Sequence, residues 1–150
     1  MAKFLLLLLV SIFLFPFIGI AGSNIVINEI AWMGTKDSSN DEWLELYNAG
    51  NSEVSLSGWK LETADGGISA NLQGVIPTHG FFLLERTDDE TLKGVTADLI
   101  YKGSFSNSGE LIRLKDASGN AVDVVEALGG WPAGDNASKD TMQRASTGWI

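Results

Sequence analysis

The apolar and polar positions divide the chain near residue 21. After the short basic start Met1-Ala2-Lys3, the stretch from Phe4 to Ile20 is apolar apart from Ser11, Pro16 and Gly19. From Asn24 onward the pattern changes. No stretch sustains the 3.6-residue period of an amphipathic helix; short apolar or alternating runs are broken by Gly, Asn, Asp and Ser instead. Strands are predicted near 25–32, 42–48, 53–61, 68–72, 80–86, 98–101, 110–115 and 121–126. Ile68, Ala70 and Leu72 alternate with Ser69, Asn71 and Gln73, as a half-buried strand requires. Phe81-Phe82-Leu83-Leu84 is apolar on both faces, which predicts a central strand covered on each side. Asp65-Gly66-Gly67 and Asp116 to Asn120 read as turns. The one expected helical piece is a single turn over Asp88 to Lys93. About eight short strands with closely spaced turns predict an all-β sandwich.

The N-terminal run predicts an exported protein. A basic start, an apolar core and small residues at Gly19 and Ala21 fit a signal peptide over residues 1–21, cut after Ala21. A retained membrane anchor over residues 4–20 is the alternative, since the run is barely long enough to cross a bilayer. A buried helix of the folded domain is the third reading. Cleavage would leave residues 22–150 as one domain and, by removing Lys3, shift the net charge from −9 to −10. That charge opposes binding to a phosphate backbone, so nucleic acid is not an expected partner. A membrane is expected as a partner only if residues 4–20 are retained. There is no cysteine, so stability rests on packing without disulfides.

Candidate chemistry is sparse. There is no G-x-S-x-G elbow and no phosphate-binding glycine loop. The single histidine, His79, lies in the turn Pro77-Thr78-His79-Gly80 without an evident partner, and one His with no Cys does not build a zinc shell. Two acidic runs carry oxygen donors: Asp37 to Glu42, with Asp37, Asn40 and Asp41 as weak calcium candidates, and Asp88-Asp89-Glu90. The competing reading is a pair of solvated turns. No other cofactor is expected. Trp43 and Trp59 lie in strand patterns and are read as core, whereas Trp131 lies in a Gly/Pro loop. There it either offers an aromatic binding surface or folds back as a lid. Asn136-Ala137-Ser138 matches the glycosylation acceptor pattern.

Taken in order, several segments resemble the lamin-tail domain, in its bacterial exported branch. They are Ile25 to Trp32, Asp41 to Asn48, Leu56 to Leu61, Gly80 to Glu85, Gly109-Glu110-Leu111 and Asp116 to Asp123. The resemblance covers about residues 24 to 144 and implies an immunoglobulin-like β-sandwich without catalytic residues. It implies structural roles for Leu44, Leu46, Trp59 and Leu83 in the core, and for Asn48 and Gly58 at turns or bulges. The chain stops at Gly148-Trp149-Ile150, where the family continues through a polar loop. A truncated end or a short last strand is therefore expected, with an open sheet edge. The implied function is a non-enzymatic interaction or architectural module of the cell envelope, with an unknown protein or polymer partner. A carbohydrate-binding or calcium-assisted adhesion module is the alternative, and a hydrolase- or nuclease-associated domain is a weaker one.

Overall fold

A computed structural model describes residues 24–150, and every regular element among them is a β-strand. The signal or anchor segment and its cut after Ala21 lie outside the described residues.

The first strand sets the geometry of the larger sheet. β1 (Ile25–Ala31) pairs antiparallel with β2 (Trp43–Asn48), and the register shifts between Ile27 and Glu29. A strict period of two would send Ile25, Ile27 and Glu29 to the same side. The bulge at Asn28 resets the alternation, so Ile25, Ile27 and Ile30 are fully buried while Glu29 turns to the opposite face. β2 pairs in turn with β7 (Phe81–Arg86), which continues to β8 (Leu99–Tyr101) in parallel. On the other side of β1 lie β11 (Met142–Ala145) and β12 (Gly148–Trp149), completing six strands in the order β12-β11-β1-β2-β7-β8.

The facing sheet has four strands in the order β10-β9-β4-β5, formed by β4 (Lys60–Thr63), β5 (Ser69–Asn71), β9 (Leu111–Lys115) and β10 (Ala121–Glu126). A third, two-stranded ribbon joins β3 (Val54–Ser55) to β6 (Val75–Ile76). Leu44, Leu46, Phe82 and Leu84 from the larger sheet meet Leu61, Ile112, Leu114 and Val125 from the smaller one in a single buried cluster. Two-layer packing of this kind is the main stabilising term in a domain without disulfides.

Side chains and glycine close the two seams between the sheets. At the first, Arg144 and Asp123 form an ion pair of 2.5 Å. The Asp123 carboxylate accepts from the Ile27 N–H at 2.7 Å, and the Arg144 Nε donates to the Ile27 carbonyl at 2.7 Å. Side chains thus satisfy the backbone groups that the ladder leaves open beside the bulge. At the second seam Gly103, with φ +109°, lies so close to the Gly67 carbonyl that a β-carbon there would overlap it.

Several sequence expectations need correction. The single strand expected over 53–61 is two strands, β3 and β4, because Gly58 sits at φ +79° and the Trp59 N–H closes a turn on the Leu56 carbonyl. β6 and β11 were not among the expected strands, and β12 is a short last strand, one of the two endings expected at Gly148-Trp149-Ile150. β6 is two residues long and bounded by Gly74 and Pro77, and β11 buries only Met142 fully, so neither shows a strand periodicity. The helical turn expected over Asp88 to Lys93 is absent. That segment is an irregular crossover from β7 to β8, in which the Glu85 carboxylate takes the Thr91 and Leu92 N–H groups at 3.2 and 3.1 Å. Asp89 takes the Ala97 N–H at 2.7 Å. Side-chain carboxylates hold the donors that a helix would have satisfied internally.

Two substitutions test the seams. Asp123→Ala is expected to cost about 1–3 kcal/mol by stranding the Ile27 N–H and Arg144, read as a lower urea midpoint with an unchanged slope. Gly103→Ala is expected to destabilise more, because both its φ and its backbone neighbour exclude a side chain.

Candidate functional site

The acidic run after β1 is a self-contained turn. The Thr35 hydroxyl donates to Asp41 at 2.7 Å and accepts from the Asp37 and Ser38 N–H groups, and the Asn40 N–H bonds the Ser38 hydroxyl. The Asp37 carboxylate reaches across to Lys93 of the crossover at 3.4 Å, in an exposed pair. Asp41 is thus held by Thr35 and Asp37 by Lys93. Among the described residues no group of three or more His, Cys, Asp or Glu is placed to hold a metal ion. Asp88, Asp89 and Glu90 are exposed on the crossover. His79 is exposed at φ +55°, with its Nδ1 3.5 Å from the Tyr47 hydroxyl. Asn136 lies on the exposed turn between Asp135 and Asp140, its side-chain oxygen accepting from Lys139 at 2.6 Å.

Trp131 folds against the domain. It stacks on Trp32 with centroids 5.7 Å apart and planes 8° from parallel, meets Phe105 edge-on at 6.0 Å, and donates its indole N–H to the Ser106 carbonyl at 2.8 Å. Both its face and its polar atom are therefore engaged within the chain. Leu44 and Leu46 are fully buried between the sheets, and Trp59 is buried with them. Leu83 is buried on the opposite side, on the outer face of the larger sheet, where Asp98 at the end of the crossover binds both its N–H and its carbonyl. Asn48 is fully buried. Its side chain donates to the carbonyls of Ser52, Ile76 and Pro77 and accepts the Gly50 N–H, tying the end of β2 to the β3–β6 ribbon.

Sequence reasoning missed the buried carboxylates. Glu42, Glu85 and Glu110 are all buried, and each accepts backbone N–H groups of a loop. Glu42 bonds Arg86 at 3.0 Å and the Phe105 N–H at 2.8 Å. Burial outweighs those bonds and pushes its carboxyl up to about 7, with the nearby Glu110 adding to the rise. Burial likewise raises Glu85 and Glu110. The buried Tyr101 hydroxyl has no hydrogen-bond partner among the described residues, and burial and then Glu42 raise its phenol. The sequence signal for Glu42 and Glu110 was their place in phase with the inward-facing pairs Leu44 and Leu46, and Ile112 and Leu114; Glu85 lies on the outer face of β7 and had no such signal.

The outer face of the larger sheet is covered at one end and open at the other. Register places three rows across β1, β2 and β7: Ala31–Trp43–Glu85, Glu29–Glu45–Leu83 and Val26–Tyr47–Phe81. The first row is buried, and a shallow cleft of about 460 Å³ lies over it, lined by Ala31, Trp43, Leu92, Asp37, Lys139 and Asp140 among others. The last row is open: Phe81 is 53% exposed and its ring lies 5.0 Å from that of Tyr47. A smaller cleft of about 310 Å³ lies at Arg86, Thr87 and Lys102 to Ser104, with Arg86 already committed to Glu42.

The family model of the Lamin Tail Domain matches residues 20–129, from just before β1 to just after β10. The chain belongs to the lamin tail domain family. Its two-layer architecture is accordingly the immunoglobulin-like sandwich of that family, as the resemblance implied. No curated protein matches the chain. The lamin tail match ends before β11 and β12, the strands that extend the larger sheet beyond β1.

The lamin tail domain's buried acids make a pH prediction. Glu42 has a folded pKa of about 7 against an ordinary 4.5, so the folded state binds the extra proton. Its contribution to stability is complete below pH 4.5 and is lost as pH rises through 7. Unfolding free energy is therefore expected to rise by about 2 kcal/mol on going from pH 7.5 to 5.5, and less in Glu42→Gln. Glu62, held down to about 2 by Lys115 and Lys60, acts in the opposite sense only below pH 4.5. Urea titrations between pH 7.5 and 5.5 check the first limb, and extending them below pH 4.5 checks the second.

Proposed function

We propose that this lamin tail domain is an exported, non-enzymatic interaction or architectural module that holds a protein or polymer partner at the cell envelope. Its support comes from three levels. The N-terminal pattern of Met1 to Ala21 is that of an export signal. The lamin tail family is one of interaction domains with an immunoglobulin-like fold. Of the four carboxylates with raised pKa, which in an enzyme would be the first suspects for proton transfer, three are spent on loop backbone: Glu42 on Phe105, Glu85 on Thr91 and Leu92, and Glu110 on Ser106; the fourth, Glu45, accepts from the Asn28 side chain.

The observation that carries the proposal is the open end of the larger sheet's outer face. Phe81 and Tyr47 present adjacent rings on two directly paired strands, so an exposed aromatic surface is held rigidly by the sheet. Such a surface binds with little loss of conformational freedom.

Cell fractionation with intact-mass measurement tests the export half: the expected species begins at Gly22 and is recovered from envelope or extracellular fractions. Full-length protein found only in the cytoplasm would overturn it. Hydrolytic turnover by the purified protein, abolished by a single carboxylate substitution, would overturn the non-enzymatic half.

A further inference from the structure

The bulge at Asn28 has an electrostatic consequence. By resetting the alternation of β1 it brings Glu29 directly opposite Glu45 on the outer face. Like charges at directly opposed positions of an antiparallel pair are unfavourable, and sheets ordinarily avoid them. Here they are held by neutral donors alone. Asn28 donates to Glu45 at 2.8 Å, and Thr141 and Gln143 donate to Glu29 at 2.5 and 3.1 Å. The ion pairs among the described residues use Glu62, Glu42, Asp37 and Asp123, and none uses Glu29 or Glu45. Partial burial and then the mutual repulsion raise Glu45, with Asn28 opposing. The cation that would relieve the pair is not supplied from within.

One register step along the same face lies the open row of Val26, Tyr47 and Phe81. Two uncompensated carboxylates therefore adjoin the exposed Phe81 ring and the half-buried Tyr47 ring, in a chain of net charge −9. Aromatic faces and carboxylates are both favourable neighbours for a lysine or arginine, and the rings also bury apolar side chains.

The geometry points to this face as the docking site for a basic segment of a partner protein, one that sets lysine or arginine against Glu29 and Glu45 and apolar side chains against Tyr47 and Phe81. The inference rests on the interaction-module reading and supplies its surface and its partner chemistry. A neutral polysaccharide would use the rings but leave the carboxylate pair unrelieved, and a second copy of this acidic chain would bring like charge to like.

The test uses the full chain and two labelled synthetic peptides, one alternating lysine with leucine and one alternating glutamate with leucine, followed by fluorescence anisotropy. The lysine peptide is expected to bind and the glutamate peptide not to. Phe81→Ala and Glu45→Gln should each weaken binding about five- to tenfold. Glu90→Gln, the same charge change on the exposed crossover, should leave it within about twofold. Because Phe81 is 53% exposed, its variant is expected to fold with an unchanged melting temperature. Equal weakening by Glu90→Gln would reduce the effect to general charge attraction and overturn the site. So would binding indifferent to Phe81→Ala, capture of a neutral polysaccharide in its place, or a dimer that Phe81→Ala dissolves. Retention on isolated envelopes separates the two levels. If wild type and Phe81→Ala are retained alike, this face is wrong while the module reading survives; if neither is retained, both fail.

Discussion

A carboxylate removed from water is costly unless donors meet it, and Glu42 is where this lamin tail domain accepts that cost to join its parts. The side chain leaves the residue just before β2, binds Arg86 at the end of β7, and takes the N–H of Phe105 in the loop between β8 and β9. Phe105 in turn packs against Tyr101 and Trp131, and Trp131 stacks on Trp32. One buried carboxylate thus fixes the loop against which the late Trp131 segment folds. Removing one partner of such a buried pair leaves the other uncompensated, so the cluster acts as a unit. Its carboxyl, pushed up to about 7, shows that the desolvation cost exceeds what those bonds return to the charged form.

The same device recurs on a smaller scale. Glu85 organises the crossover between the parallel strands β7 and β8, and Glu110 holds the loop before β9 through Ser106. Parallel neighbours need a long connection, and this one has no regular structure to satisfy its own backbone. Carboxylates supply what a helix would have supplied. The crossover also covers one end of the outer face, burying Leu83 and Glu85, and leaves the Tyr47–Phe81 end open. The division between structural and accessible surface on that face follows from where the crossover runs.

Much of the sandwich was legible because its longer strands carry several apolar residues. β1, β2, β7, β9 and β10 lie within the expected ranges, since each presents several apolar residues on one side. The two-residue strands were not legible: a pair such as Val75–Ile76 has no period to read, and it is a strand only because β3 lies beside it. Leu56-Ser57-Gly58-Trp59 illustrates the opposite error, an alternating run that Gly58 breaks by adopting a left-handed backbone. For the site, the acidic runs attracted attention because they are concentrated in sequence. The carboxylates that organise the fold are scattered singly among apolar residues, where a local reading takes them for solvent-facing positions.

The sequence by itself determined the class of the fold and the family, because both are written in local apolar periodicity and in short segments read in order. Only the tertiary structure decided which face each acid occupies. Glu29 reaches the outer face because one extra residue at Asn28 shifts the register, and its opposition to Glu45 exists only once β1 and β2 pair. Trp131 was open to two readings as a loop residue; its stack on Trp32, a residue distant in the chain, engages its ring within the fold. Burial and charge pairing are properties of neighbours brought together from distant segments, and a linear pattern does not carry them.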